Sequence, residues 1–253
     1  MKIKKKILDY LPTSKKNNED PFRSGIFNLN DISIYTHNYQ CIARAYPKIF
    51  NQNIYDFKAE TETPNIIDCG ANIGLAAIYW KQIYPKATIT CFEPEKKAFN
   101  SLKKNISNLN LNDVKCINKA LADKVETLNF STNEIISGSI RKEKKLDIAF
   151  KVETALLSDY IKTPVDLLKI DIEGAEKYVL PEIESKLTLV KNLFLEYHSF
   201  VSEKQYLGDI LKLLESNGFR YYMEDEYKSQ HPFVKRKVSL EQDLQLNIWA
   251  YRE

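Results

Sequence analysis

Two spacings of apolar residues, one strand-like and one helical, alternate along this chain. Asn65–Cys69 is a short apolar run followed by two glycines, after which Leu75, Ile78, Tyr79 and Ile83 recur at helical spacing. Thr88–Phe92 reads as the next strand, and Pro94 stands at the first turn of a helix striped by Phe99, Leu102, Ile106 and Leu109. Residues 114–118 form a third strand. The rhythm resumes with a strand at 165–171, a helix striped by Ala175, Val179, Leu180, Ile183 and Leu187, and a strand at 192–198. Tyr206, Ile210, Leu213 and Leu214 mark another helix, closed by Gly218. Residues 219–223 and 246–251 are final strands with no helix between them, which predicts an antiparallel pair.

Strands and helices in such alternation build a sheet of parallel strands covered by helices on both faces. The chain is therefore expected to be α/β, a doubly wound Rossmann-like domain over 64–253. A polar break at 60–64 sets it off from a small N-terminal attachment, 1–63. That attachment is predicted to hold a polar linker at 15–20, a strand at 31–35 and a helix over 39–50 that Pro47 ends or kinks. Residues 120–157 are less periodic, and 126–131, 136–141 and Ala149–Ala155 are expected as strands of an insertion or lid.

Lysine and arginine total 37 against 34 acids, a net charge of +3. That surplus is too small to argue for a nucleic-acid partner, which needs a basic face. The cysteines Cys41, Cys69, Cys91 and Cys116 have no CxxC or metal-ligand spacing. Three of them sit in apolar runs as small hydrophobes, which suits a reducing, cytoplasmic setting. No apolar stretch has the length of a membrane span. The basic run at 2–8 is expected to be a solvated terminus, with at most weak contact to an anionic membrane surface.

A strand ending in Asp68, then Gly70 and Gly74 opening a helix, is a loop built for close backbone approach. The first N–H groups of such a helix lack internal partners and suit a ligand carboxylate, such as that of S-adenosylmethionine (SAM). Glu93 ends the second strand, where doubly wound folds keep an acid for ribose hydroxyls. Asn72 stands where a dinucleotide site wants a second glycine, which turns the loop away from pyrophosphate.

Ile67-Asp-Cys-Gly-Ala-Asn-Ile-Gly74, Phe92-Glu-Pro94, Lys169-Ile-Asp-Ile-Glu-Gly-Ala-Glu176 and Glu196-Tyr-His198 together resemble the FkbM-type methyltransferases. The resemblance spans roughly residues 25–251, by motif and order. It implies a class I fold with a mostly parallel seven-stranded sheet whose last strand is reversed, SAM as cofactor, and methylation of hydroxyls, often on sugars or natural products. It further implies that Asp68, Gly70, Ala71, Asn72 and Gly74 surround the methionine part, with Asp171 a possible contact. Glu93 with Pro94 would hold the ribose, and Asn118, Lys119 and Ala120 would lie near adenine. Ser137-Gly-Ser139 resembles a small-residue stretch of the family, and a plain turn explains it equally well.

Methyl transfer needs an aligned acceptor and, for an alcohol, removal of a proton. Asp171 with Glu173, and Glu196 with His198, are each two apart and share a strand face. His198 is expected as general base, with Asp171 and Glu173 beside it as catalytic residues. Glu176 stands at a helix start, where the dipole alone favours an acid. A divalent metal on Asp171, Glu196 and His198 is chemically possible but disfavoured, since no carbonyl-rich loop completes its shell. Of Tyr35, Tyr39, Tyr55 and Phe57, at least half are expected in the core, the others stacking on a sugar or closing over the cofactor. The expected acceptor is a hydroxyl of a sugar, glycan precursor or related small metabolite. N-methylation, a non-catalytic assembly subunit of the same fold and an NAD-dependent dehydrogenase are the alternatives. The sequence leaves the oligomeric state open.

Overall fold

The computed structural model describes residues 22–29, 32–132, 138–139 and 149–252. The basic run at 2–8, the linker at 15–20, Ser137 and most of the strand expected at 136–141 lie outside the described residues. A hairpin of β1 (Gly25–Leu29) and β2 (Ile32–Thr36) leads into α1 (Tyr39–Tyr46). Pro47 ends that helix, as its missing N–H requires, and heads a π turn over Pro47–Asn51.

The alternating part follows as β3 (Asn65–Cys69), α2 (Leu75–Ile83), β4 (Thr88–Phe92), α3 (Lys96–Asn108) and β5 (Val114–Ile117). A smaller sheet comes next, made of β6 (Ala120–Leu121), β7 (Thr127–Thr132), β8 (Gly138–Ser139) and β9 (Ala149–Ala155), in the order β6-β9-β7-β8. The main pattern then continues through β10 (Val165–Ile170), α4 (Glu176–Glu182), β11 (Val190–Phe200) and α5 (Leu207–Ser216). It closes with β12 (Arg220–Lys228) and β13 (Gln242–Tyr251).

The seven-stranded sheet runs β12-β13-β11-β10-β3-β4-β5. From β11 to β5 every neighbour is parallel, while β13 lies antiparallel between β11 and β12. This is the doubly wound class I arrangement. The order reverses at β3 and β10, and that crevice, at the carboxyl ends of the strands, is where such sheets bind ligands.

Because side chains alternate along a strand, each apolar run supplies two cores. Ile66, Ile89, Leu167 and Phe194 pack with α1, α2 and α3; Ile67, Leu168, Leu195 and Ile248 pack with α4 and α5. The single stripe expected on α2 understates its burial. Leu75 through Lys81 are all buried, whereas Ile83, counted in the stripe, is exposed. Residues 54–57 account for this by covering the helix's outer side. Trp80 Nε1 donates to Tyr55 O at 3.2 Å and Tyr84 Oη to Phe57 O at 2.8 Å. From the sheet, Trp249 Nε1 donates to Ile54 O at 2.8 Å. A helix clamped between a sheet and a covering segment is apolar nearly all round. Among the described residues no helix is long and apolar enough to cross a membrane.

Two glycines test this packing in opposite directions. Gly74 precedes α2 at φ 89°, and a β-carbon there would lie 2.6 Å from Leu102 Cδ1 of α3. Gly74→Ala is expected to lower stability by about 2 kcal/mol in a denaturant melt. Gly208, inside α5, has open space around it, so Gly208→Ala is expected to raise stability by about 0.5 kcal/mol.

Candidate active site

Strand register assembles the site. Asp68 is the cross-strand neighbour of Lys169, and Lys169 of Phe194. All three face the side covered by residues 54–57. Lys169 Nζ lies 3.0 Å from Asp68 Oδ1 and 3.6 Å from Asp171 Oδ2, and it donates to Gly70 O at 2.9 Å. The Tyr55 ring stands 5.7 Å from the ammonium. Burial alone would discharge this lysine; Asp68, then Tyr55 and Asp171, reverse that and hold its pKa well above the ordinary value.

Gly70 owes its identity to the sheet. A β-carbon there would fall 1.8 Å from the Asp171 carbonyl oxygen, so the turns after β3 and β10 touch through backbone. Asn72 occupies the left-handed region at φ 49°, and its N–H donates to Glu93 Oε2 at 2.8 Å. Glu93 Oε1 accepts from Glu95 N at 2.8 Å. Burial nevertheless pushes the Glu93 carboxyl up to about 7, against those two hydrogen bonds.

One layer nearer the strand ends, carboxylates surround His198. Its Nδ1 lies 3.1 Å from Glu176 Oε1, and its Nε2 lies 3.5 Å from Glu173 Oε2 and 3.8 Å from Glu196 Oε1. Burial alone would discharge the ring, but Glu173, Glu176 and Glu196 overturn that and raise its pKa well above the histidine value. Glu196 is pushed up to about 7 by burial, with the Asp171 charge adding to the effect. Gln245 Nε2 donates to Glu196 Oε1.

These groups border a cavity of about 1420 Å³. Gly70, Ala71, Asn72, Glu93, Pro94, Lys119 and Ala120 line one end of it. Lys169, Asp171, Glu173, Glu196, Glu226, Gln242 and Gln245 are also in its wall, and Tyr55, Arg44, Lys48, Lys96 and Lys97 are among its other lining residues.

Four expected site residues stand elsewhere. Asp68 is fully buried and absent from the lining, because its carboxylate is spent on Lys169 beneath the floor. Gly74 lies behind the loop, against α3. Asn118 turns its amide to Glu93 O and Pro94 O, at 2.8 and 3.0 Å, and so braces the acidic turn. His198 lines a small neighbouring pocket instead. The carboxylates around it hold its pKa well above the histidine value, which favours the imidazolium, a form with no lone pair to offer, and so argues against the role of general base expected for it. Asp171, Glu196 and His198 present ligand atoms within 4.8 Å of one another.

Sequence reasoning gave Lys169 and Glu226 no role, and named Tyr55 only among aromatics that pack in the core or close over the site. Lys169 was visible as a lone cation in an apolar strand. Glu226 carried no such signal: a register shift between Asp225 and Tyr227 in β12 re-aims it, and it meets Lys48 at 2.7 Å. Tyr55 reaches the site because residues 54–57 fold over the sheet.

The Methyltransferase FkbM domain model matches residues 68–221. The chain is 31% identical over 188 residues to "Methyltransferase sdnD" of Sordaria araneosa, covering 60% of this chain and 73% of that one. It is 28% identical over 159 residues to "2-O-methyltransferase NoeI" of Sinorhizobium fredii (strain NBRC 101917 / NGR234), covering 54% and 65%. A crystal structure of methyltransferase FkbM from Methylobacillus flagellatus KT superposes with a TM-score of 0.48 at 14% identity. That overlap takes in 76% of this chain and 45% of that one, so this chain spans less than half of that protein.

The buried pair under the floor offers a test that does not depend on chemistry. Lys169→Met strands the Asp68 charge and is expected to cost about 3–5 kcal/mol of stability in denaturant unfolding. Asp68→Leu combined with Lys169→Met is expected to recover most of it. A double variant no better than the single one would refute the pairing as the source.

Proposed function

The chain belongs to the FkbM methyltransferase family and is a SAM-dependent methyltransferase, and we propose that its acceptor is a hydroxyl of a sugar, glycan precursor or related small metabolite. One observation carries the acceptor reading. Asp171, Glu173, Glu196, Glu226, Gln242 and Gln245 all line the cavity, Glu226 paired there with Lys48. Carboxylates and amides in that number suit a partner rich in hydroxyl donors and acceptors.

The cofactor fits beside Glu93. Asn72 Oδ1 is a buried acceptor with no hydrogen-bond partner among the described residues, and an ammonium such as that of SAM would satisfy it. The unpaired N–H groups at the start of α2 suit the carboxylate. Both Glu93 oxygens keep a lone pair for ribose hydroxyls, and Lys119 to Leu121 border the space for adenine. When bound, SAM supplies the sulfonium methyl. The chain's own work is to align the acceptor oxygen, exclude water and receive the hydroxyl proton.

We assign that proton to Glu196, which borders the cavity, with Asp171 and Glu173 flanking it. His198 then acts as a positioning residue, a buried cation that fixes Glu173, Glu176 and Glu196. No metal is required in this scheme. The dehydrogenase alternative falls with the family assignment.

With labelled SAM and a panel of sugar nucleotides and oligosaccharides, the label is expected in an alkali-stable methyl ether. Label found only on nitrogen would overturn the hydroxyl reading. Glu196→Gln is expected to lower kcat by roughly a hundred- to ten-thousandfold while leaving cofactor affinity unchanged. Full turnover in that variant would move the base to Asp171 or Glu173.

Glu93 gives the pH dependence. Burial pushes its carboxyl up to about 7, and the ribose contact needs the anion. Affinity for S-adenosylhomocysteine is therefore expected to be constant above that value and to fall about tenfold per pH unit below it. Calorimetry across that range checks this, and Glu93→Gln should bind weakly with a flat profile. A flat wild-type profile would count against the ribose assignment.

A further inference from the structure

Beyond the cavity, the connection between β12 and β13 forms an exposed tip. His231 and Lys235 bridge across a tight turn, with Val234 N and Lys235 N both bonded to His231 O at 3.0 and 2.8 Å. The Ser229 hydroxyl ties the arms together, accepting from Lys237 N at 2.7 Å. The tip is thus an ordered turn. At its apex Phe233 is 104% and Val234 88% exposed, and Val238 and Leu240 are exposed behind them. Lys228, Lys235, Arg236 and Lys237 flank the apex. Of these only Lys228 has an acidic partner among the described residues, Asp225 at 2.6 Å.

We propose that this tip is a docking wedge for an anionic lipid surface. A single exposed apolar side chain is ordinary on a soluble domain. Two adjacent ones at the apex of a hydrogen-bonded turn, backed by a run of cations, match the two layers of a bilayer edge. The apolar apex enters the boundary between headgroups and acyl chains, and the Lys and Arg heads reach lipid phosphates while their stems stay apolar. The turn's own hydrogen bonds lessen the penalty of carrying backbone into that layer. A nucleic acid fits less well, since single strands are held by aromatic platforms along a basic groove. Here there is one phenylalanine, and its neighbour Val234 stacks on nothing. The same hairpin carries Glu226, Leu240, Gln242 and Gln245 into the cavity wall. Docking through the tip therefore brings the acceptor end of the cavity to the headgroups. The inference does not depend on which acceptor is used.

Flotation of the full chain with phosphatidylcholine vesicles, with and without phosphatidylglycerol, tests it. Binding is expected only with the anionic lipid, and should weaken with added salt. Replacing Lys235, Arg236 and Lys237 by Gln is expected to reduce vesicle affinity about a hundredfold. Phe233→Ser with Val234→Ser should reduce it about tenfold or more. Both variants should keep the wild-type melting temperature and S-adenosylhomocysteine affinity, because the apex packs against nothing. Phe233→Trp should show a blue-shifted emission on anionic vesicles. No flotation with phosphatidylglycerol would overturn the proposal. So would variants that float like wild type, which would point to the basic run at 2–8. Binding to polyuridylate that the Phe233/Val234 variant leaves unchanged, together with no vesicle binding, would instead assign the tip to a polyanion.

Discussion

The ion pair between Asp68 and Lys169 fixes the geometry on which the site depends. Two charges in the middle of apolar strands are tolerated only as partners, and register makes them neighbours across β3 and β10. With its ammonium also bound to Gly70 O, Lys169 ties the turn after β3 to the strand that delivers Asp171. Only a glycine at position 70 lets the two turns pass this close, since a β-carbon there would fall on the Asp171 carbonyl oxygen.

Electrostatics divides the cavity. Glu93 is buried between two backbone donors, with Glu95 the nearest acid acting on it. Elsewhere, Asp171, Glu173, Glu176 and Glu196 crowd around the buried Lys169 and His198. Burial above all, with the neighbouring Asp171 charge adding to it, raises the proton affinity of Glu196. Such a region keeps a proton acceptor near neutrality and offers many hydrogen-bonding positions to a hydroxyl-rich partner. The raised proton affinity of His198 follows from its own ring of carboxylates, Glu173, Glu176 and Glu196.

The alternation of strands and helices was legible because the central strands β3, β10 and β11 are buried on both faces and the helices carry stripes, both local properties of the sequence. The antiparallel final pair was legible from the absence of a helix between its strands. The cavity-facing parts of the loop, Gly70 to Asn72, and the acid Glu93 could be read from spacing. What spacing does not contain is which neighbour a side chain meets across the sheet. Asp68 and His198 were read as open groups because each ends a strand motif, and register paired both of them with opposite charges. Glu226 depends on a bulge and Tyr55 on a long-range fold-back of residues 54–57, neither of which has a local pattern. The same fold-back explains why a stripe underestimated the burial of α2.

The position of β13 carries a consequence for assembly of the sheet. It follows β12 in the chain yet sits between β12 and β11. Until residues 242–251 arrive, the long β11 presents an unpaired edge, and β12 has nothing to join. A chain interrupted before β13 would expose that edge to strands of other molecules. Closure of this half of the sheet is a late, non-local event, with the slow kinetics and aggregation hazard that such pairings bring. Glu196 and His198 lie on that same β11, and β13 adds Gln245, the amide that bonds Glu196, to the cluster only when it pairs there.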